Sequence, residues 1–342
     1  MKGRMIVLDR WLGRQAAALM QDGRLDDLLI DDDSAPRPGA IFRAICDRPL
    51  KGQGGMMVRL PDGMTGYLRD ARGLAAGAVL LVQVTGLASD GKAVPVTDRI
   101  LLKSRHVIIT PGAPGLNISR QIGDEDRRAM LLALAQGLVG ADYPMILRSS
   151  CADAAPDDIA DDIRLMVDLA AKVLADATGP TPAALTKGDG PHAVAWREWS
   201  APAISDGAGA FVRDGVADQI AALRVPLVDL GEGTMYVEPT RALIAVDVNT
   251  GGDTSPAAAL KANLAAARAL PRALRLRGLG GQVVVDFAPM PKGQRKPLEQ
   301  SLRATFKTDP VETSLAGWTP MGLFELNRKR ERVPLARLLG PE

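Results

Sequence analysis

The stretch LIAVDVNTG, residues 243–251, places Asp247 and Asn249 in a run that is otherwise apolar. Side chains alternate between the two faces of a strand, so Asp247 and Asn249 are expected on one face and the neighbouring valines on the other. A segment of helical periodicity, PAAALKANLAAARALPRALRLRG, follows, and the apolar run QVVVDF then contains Asp286. This order predicts a strand–helix–strand unit with a carboxylate near the end of both strands.

The two predicted strand ends suggest a metal site. A right-handed crossover would bring Asp247 and Asp286 to the same edge of a sheet, where open α/β sheets bind ligands. Neighbouring carboxylates repel each other, and a divalent cation removes that repulsion. Two Asp carboxylates and the Asn249 carbonyl suit Mg²⁺ or Mn²⁺ better than zinc, and such a site suits phosphodiester cleavage. The alternative is that each acid caps the next helix or turn, because DVNTGGDTSP is rich in capping residues.

Composition limits the class of protein. The chain has 342 residues, with 42 basic and 40 acidic side chains, so its net charge of +2 gives no argument for nucleic acid and any anion binding must come from local patches. Cys46 and Cys151 are the only thiols, which excludes a disulfide framework or a Cys-rich zinc site within one chain. We find no run of about 18 apolar residues. We therefore expect a cytoplasmic protein without a membrane span.

The rest of the chain divides into segments of different pattern. A strand and a hairpin with an Asp22-Gly23 turn are predicted first, and an acidic, Pro-rich linker covers 31–40. Five short strands over 38–103 predict a small closed barrel of the OB type. Residues 104–187 alternate strands with two helices, DEDRRAMLLALAQGL and APDDIADDIRLMVDLAAKVLADA. Residues 192–230 show no clear pattern apart from a short helix around VADQIAALR.

Other motifs are weaker. Neither His106 nor His192 lies beside a convincing nucleophile with an acid partner, which argues against a hydrolase triad. The chain has no GK[ST] phosphate loop, and its GLGG segment precedes a strand instead of following one. The basic runs RALRLRG and NRKRER, the second in a basic tail after the last predicted helix, fit either solvated helix faces or phosphate contacts.

Three segments resemble the catalytic region of the bacterial ribonuclease E/G family: LIAVDVNTG, KANLAAARALPRALRLRGLGGQVVVDF and GLFELNRKR. The order of segments agrees with that family to about residue 335. The resemblance implies an α/β multidomain protein, in which an RNase H-like subdomain carries an inserted OB-type barrel and a 5′-sensor region and precedes a DNase I-like catalytic subdomain. The implied segments are an RNase H-like first part at 1–36, the OB-type RNA-binding barrel at 37–103, the 5′-sensor α/β region at 104–187, a reduced second RNase H-like part at 188–230 and the catalytic subdomain at 231–342.

The resemblance also implies roles for individual residues. Asp247 and Asp286 would hold the catalytic Mg²⁺, with Mn²⁺ as the other candidate, and Asn249 would position the scissile phosphate or the attacking water. The products would carry a 5′-phosphate and a 3′-hydroxyl. Arg148 and Ser149, in ILRSS, match the pair that reads a 5′-monophosphate.

Three further positions match RNA contacts of the family. Arg120 falls in LNISRQI of the sensor region, Lys92 matches a basic contact, and Tyr67 matches an aromatic that contacts a base. By pattern alone, Tyr67 fits a ring in the barrel core equally well.

Several departures from the family pattern limit these expectations. Met57 stands where an aromatic is usual, and KTDPV, residues 307–311, lacks the Arg that usually follows its Asp. The sequence stops before the Cys-rich zinc link of the larger members, so neither zinc nor a zinc-linked dimer is expected, while another homo-oligomer stays open.

We expect an endoribonuclease acting on single-stranded RNA, in mRNA decay or in rRNA or tRNA processing. An RNA-binding protein of the same family with weak or lost catalysis is the first alternative. An α/β protein that binds a small phosphate ester is the second.

Overall fold

The computed structural model describes residues 3–32, 34–50, 54–88 and 91–340. The chain forms two compact units, one made of Met1–Asp32 with Ser200–Glu342 and the other of Asp33–Trp199. The second unit is therefore an insertion in the first. Among the described residues, we find no helix whose length and apolar character would let it cross a lipid bilayer.

The first unit begins with an antiparallel meander. Its strands are β1 (Arg4–Trp11), β2 (Arg14–Gln21) and β3 (Arg24–Ile30). The turn between β2 and β3 has positive φ at both central residues, 51° at Asp22 and 78° at Gly23. This is the backbone of the primed turns that match strand twist, so the predicted Asp-Gly hairpin is confirmed.

The inserted unit starts with a closed five-stranded barrel. Its strands are β4 (Ile41–Leu50), β5 (Gly55–Arg59), β6 (Thr65–Leu68), β7 (Val79–Val84) and β8 (Val94–Thr97). The ring closes because β4 pairs with both β5 and β7, while β8 pairs with β6 and β7. Inward-facing apolar side chains fill the barrel, among them Phe42, Val58, Leu68 and Val82. The predicted small barrel is confirmed, and its form is consistent with the OB type.

A mixed sheet with two helices follows the barrel. It contains β9 (Leu102–Lys103), β10 (Val107–Ile109), β11 (Leu116–Ile118), α1 (Glu125–Val139), β12 (Met145–Leu147) and α2 (Pro156–Ala175). The strand order is β11-β12-β10-β9. Asp124 caps α1 by accepting a hydrogen bond from the Arg127 amide, and Pro156 occupies the first turn of α2. Both predicted helices are confirmed.

Residues 183–222 contain only short elements. They are β13 (Ala183–Thr186), α3 (Pro191–Glu198), β14 (Ala203–Ser205), α4 (Ala210–Arg213) and α5 (Val216–Ala222). β13 pairs with β4, and β14 pairs in parallel with β1 at the edge of the first sheet. Most of these elements are too short to show a repeat in the sequence, and the predicted helix corresponds to α5.

The remainder of the first unit is a six-stranded sheet with two long helices. Its elements are β15 (Leu227–Asp229), β16 (Thr234–Pro239), β17 (Ile244–Asn249), α6 (Pro256–Leu276), β18 (Gly281–Asp286), α7 (Arg295–Thr308), β19 (Thr313–Trp318), β20 (Phe324–Arg328) and α8 (Leu335–Leu339). The strand order is β15-β16-β17-β18-β20-β19, with β17 and β18 parallel. Apolar side chains of α6 and α7 pack with alternate residues of the strands into one core. The intervening strand residues point to the other face of the sheet.

After the last predicted long helix the sequence predicted only a basic tail, whereas the structure has a hairpin of β19 and β20 there. In β20, Phe324, Leu326 and Arg328 are buried and alternate with exposed residues. Because Arg328 is charged but buried, the sequence of β20 lacks the full alternation of apolar and polar residues that is typical of a strand.

The buried arginines of the basic runs RALRLRG and NRKRER form neither solvated helix faces nor phosphate contacts. Arg328 forms an ion pair with Asp309 at 2.6 Å, and both side chains are 1% exposed. Arg275 pairs with the same carboxylate, while Arg277 donates to the backbone carbonyl of Val225. These guanidinium groups bind within the protein, so they are not available to phosphate.

Candidate active site

The exposed position of Asp247 follows from alternation along β17. Val246 and Val248 are buried in the apolar core, whereas Asp247 and Asn249 are exposed. The two valines anchor the strand, and the period of two then forces both polar side chains onto the opposite face. The structure thus brings Asp247 and Asn249 to one surface.

Asp286 lies directly beside Asp247. The parallel strands β17 and β18 place these two residues opposite each other in register, and both are exposed. Neighbouring strands are about 4.8 Å apart, so the two carboxylates leave the same sheet face from adjacent positions. Such a pair carries two negative charges in a small space.

Asn249 adds a third polar group to this surface. Its amide nitrogen donates a hydrogen bond of 2.7 Å to Oδ2 of Asp247. A glycine is needed directly before β16, because a Cβ atom at Gly233 would collide with the backbone oxygen of Asn249. Gly233 therefore allows β16 to approach the end of β17 closely.

The alternative that Asp247 caps the following helix is wrong. The N-cap of α6 is Ser255, whose hydroxyl accepts from the Ala258 amide at 3.2 Å. Asp253 in turn accepts from the Ser255 amide, and its hydrogen bonds with Ser255 lower the pKa of the Asp253 carboxyl. Other residues of the loop thus cap the helix, which leaves Asp247 and Asn249 on the sheet surface.

Asp247 and Asp286 provide hard oxygen donors. Within the described parts of the chain, no group of three or more His, Cys, Asp or Glu residues is placed to hold a metal ion. Mg²⁺ does not require such a group, since it usually keeps several waters and binds through one or two carboxylates together with substrate phosphates. The residues present therefore fit Mg²⁺ better than a cation that needs a complete protein cage.

The barrel residues of the RNA hypothesis lie outside its core. Tyr67 on β6 pairs with Met57 on β5, and both are half-buried while their strand neighbours fill the interior. The Tyr67 ring lies against the backbone of Gly55, where a side chain would collide with it. Lys92 is exposed in the turn before β8. The core-ring alternative for Tyr67 is thus wrong, and its ring is on the outer surface of the barrel.

Arg148 is held by groups of its own unit. Its guanidinium donates to the backbone oxygen of Ser104 at 2.6 Å and forms an ion pair with Glu198 at 2.6 Å. Burial raises the pKa of the Glu198 carboxyl, but hydrogen bonds from Arg197 and Arg148 outweigh it, so the net shift is downward. Ser149, the next residue, is exposed.

Arg120 lies between β11 and α1 and is exposed. The loop around it is held by Arg128, whose guanidinium donates to the backbone oxygens of Ser119 and Ile122. Arg120 itself makes no hydrogen bond or ion pair with any described residue. Its guanidinium is therefore available to an anionic ligand.

Tyr236 was not anticipated as a site residue. It lies on β16 opposite Asp247 and is exposed, as is Leu227 beside it on β15. The alternation in TMYVEPT does indicate that Tyr236 is exposed, because the apolar Met235 and Val237 on either side of it are buried. Its position beside Asp247 depends on strand register, which the local pattern does not give.

Comparison with known proteins identifies the family. The model of the Ribonuclease E/G family matches residues 101–206 and 200–331. Ribonuclease E of Synechocystis is 27% identical over 308 residues, covering 76% of this chain and 45% of that protein. Ribonuclease G of Salmonella typhimurium is 26% identical over 316 residues, covering 78% of this chain and 62% of that protein. The chain thus spans about half the length of the curated relatives it matches. The extent of the family match, together with the relatives, shows that the chain belongs to the Ribonuclease E/G family.

Proposed function

We propose that this chain is a Mg²⁺-dependent endoribonuclease that cleaves single-stranded RNA. The observation that carries the proposal is the in-register pair of exposed carboxylates, Asp247 and Asp286, on one sheet face. Family membership supports the same activity, since the relatives are named ribonucleases. The role in the cell would be mRNA decay or the processing of rRNA or tRNA.

Asp247 and Asp286 would hold the Mg²⁺. When bound, the ion makes a water more acidic and stabilises the charge that develops on the phosphate. Asn249 is hydrogen-bonded to Asp247, so it is positioned to orient either the phosphate or the attacking water on this face. Attack by water on the phosphorus, with release of the 3′-oxygen, would leave a 5′-phosphate and a 3′-hydroxyl.

The substrate contacts would lie on surface groups of the inserted unit. Tyr67 offers an outward ring for a base, and Lys92 offers a charge for the RNA backbone. Arg148, Ser149 and Arg120 would form the region that recognises a 5′-monophosphate. Arg148 would exchange part of its contact with Glu198 for that phosphate.

The subdomain assignments follow from the same proposal. The six-stranded sheet with α6 and α7 would be the DNase I-like catalytic subdomain. The sheet β14-β1-β2-β3, with β14 parallel to β1, would be a reduced RNase H-like subdomain. The barrel would be its OB-type RNA-binding insertion.

The test uses a 5′-monophosphorylated, AU-rich single-stranded oligonucleotide, labelled at its 3′ end. The purified protein is incubated with it in Mg²⁺ and, separately, in excess chelator. We expect internal cleavage in Mg²⁺ only, with products that a 5′-phosphate-dependent exonuclease degrades. Binding without cleavage in either buffer would overturn the enzymatic proposal and favour an RNA-binding protein.

A further inference from the structure

An exposed apolar pair continues the row of paired positions that contains the two carboxylates. Across the sheet, Leu227 pairs with Tyr236, Tyr236 pairs with Asp247, and Asp247 pairs with Asp286. Paired residues on neighbouring strands point to the same face. The row therefore runs from an apolar half to an acidic half over four adjacent strands.

The Tyr236 ring is not part of the core. Tyr236 and Leu227 are each 39% exposed, whereas Met235 and Val237 on either side of Tyr236 are buried in the core. The Tyr236 hydroxyl makes no hydrogen bond with any described residue. The Tyr236 side chain thus lies outside the core and is partly exposed, which leaves its ring accessible to a flat ligand.

The spacing of the row fits one nucleotide. Adjacent strands are about 4.8 Å apart, so Tyr236 lies one strand from Asp247 and two from Asp286. A phosphate held at the carboxylates would thus have the attached nucleoside within reach of the Tyr236 ring. Every base has a face that can stack on an aromatic side chain, so this contact needs no particular sequence.

Charges on the next row favour a base over a second phosphate. Glu238 and Glu325 are exposed on the same face, in the row Glu238, Ala245, Val284 and Glu325. Glu238, two residues from Tyr236 on β16, repels the RNA backbone from that side of the ring, and Glu325 adds negative charge at the β20 end of the row. An uncharged base meets no such repulsion.

We propose that Tyr236, flanked by Leu227, is the stacking platform for an unpaired base next to the phosphate held at Asp247 and Asp286. This inference rests on the proposed function, because that phosphate belongs to the RNA substrate. Tyr236 is a binding residue here and takes no part in the chemical step. Its substrate class is single-stranded RNA, whose bases are free to leave the stack.

The test couples Tyr236 to one base in the absence of catalysis. Affinities are measured in Mg²⁺, which the proposed phosphate contact requires, for a single-stranded oligonucleotide whose linkages resist hydrolysis and for a set of copies, each with one abasic position. We expect Tyr236→Ala to weaken binding of the intact RNA by about 5- to 100-fold, the range for loss of one stacked base. Tyr236→Phe should stay within twofold, because the ring is kept.

The abasic set gives the specific readout. One abasic position should weaken the wild type and Tyr236→Phe but leave Tyr236→Ala unchanged. Tyr236→Thr, which suits a strand, is the second ring-free variant if Tyr236→Ala is unstable, and Met321→Ala is the control for loss of an exposed apolar side chain. If the loss of affinity caused by Tyr236→Ala adds to the loss caused by the abasic site at every position, the platform is overturned. This holds even if the RNA is cleaved in Mg²⁺.

The same experiment separates this inference from the proposed function. A coupled base together with no cleavage in Mg²⁺ would support the platform and overturn the nuclease. An equal loss for Met321→Ala and Tyr236→Ala would overturn the platform. No RNA binding by the wild type would overturn both, and would leave the apolar row as a surface for another class of partner.

Discussion

Asp247 faces Asp286 across two parallel strands, with Asn249 hydrogen-bonded to Asp247 on the same exposed face. Two carboxylates at adjacent positions repel each other, which costs free energy in a protein that has no ligand for them. The sheet could have been completed with uncharged residues at either position. The proposed cation would remove this repulsion, and the pair is the feature on which that proposal rests.

The buried ion pairs of the first unit predict a large effect on stability. Asp309→Ala would leave the guanidinium groups of Arg275 and Arg328 buried without their shared carboxylate. We expect a loss of about 3–5 kcal/mol in the free energy of unfolding. Denaturant unfolding followed by circular dichroism measures it.

The control for Asp309 is an exposed pair on the same unit. Glu331→Ala removes the partner of Lys329, and such surface pairs contribute about 0–1 kcal/mol. Equal losses for Asp309→Ala and Glu331→Ala would contradict the structural role of Asp309.

The sequence predicted those elements whose pattern is local. The alternation around Asp247 and the 21-residue helix α6 each show their period clearly. The hairpin of β19 and β20 was missed because a register shift near Gly317 interrupts the alternation, and because Arg328 at a buried position resembles a surface residue. The burial of Arg328 depends on its ion pair with Asp309, and no short-range sequence pattern reveals that pairing. The position of Tyr236 beside Asp247 likewise depends on register between strands.

We predict that Tyr67 on the barrel contributes to RNA affinity by stacking on a base. Its ring lies on the outer surface opposite Met57, so Tyr67→Ala should weaken binding of single-stranded RNA by about 5- to 100-fold. Tyr67→Phe keeps the ring and its contact with Gly55, and should bind as the wild type does. Fluorescence anisotropy in chelator measures both, and unchanged binding by Tyr67→Ala would remove Tyr67 from the RNA surface.

We predict that Ser149 contributes to the preference for RNA with a 5′-monophosphate. Its hydroxyl is exposed beside Arg148, so Ser149→Ala should reduce the ratio of cleavage rates for 5′-monophosphate over 5′-hydroxyl RNA by about tenfold. Ser150→Ala is the matched control, because the Ser150 hydroxyl donates to the backbone oxygen of Arg105. The control should alter stability and keep the ratio. A ratio that is unchanged in Ser149→Ala would exclude its hydroxyl from 5′-end recognition.

His106 predicts a pH dependence of stability. Burial lowers the pKa of this imidazole below its ordinary value of 6.5, although the charge of Asp162 opposes the shift. Near and below pH 6.5 the unfolded chain therefore binds more protons than the folded one. The contribution of His106 to the free energy of unfolding is complete above that pH and is lost as the pH falls.

Thermal unfolding at pH 7.5 and 5.5 checks the prediction for His106. We expect His106→Gln to lose less stability than the wild type between the two pH values, because glutamine does not titrate. Identical pH dependence in the two proteins would show that His106 makes no such contribution.

Cleavage by carboxylate-to-amide variants tests the metal site most directly. Asp247→Asn and Asp286→Asn keep the shape of each side chain and remove the charge that would hold Mg²⁺, while both positions are exposed and tolerate the change. The measurement is the rate of cleavage of 5′-monophosphorylated single-stranded RNA in Mg²⁺, with RNA affinity and thermal stability determined on the same samples. We predict that each variant loses cleavage by at least about 100-fold, which is some 2.7 kcal/mol of transition-state stabilisation, with folding and RNA binding retained. Cleavage at the wild-type rate by both variants would contradict the assignment.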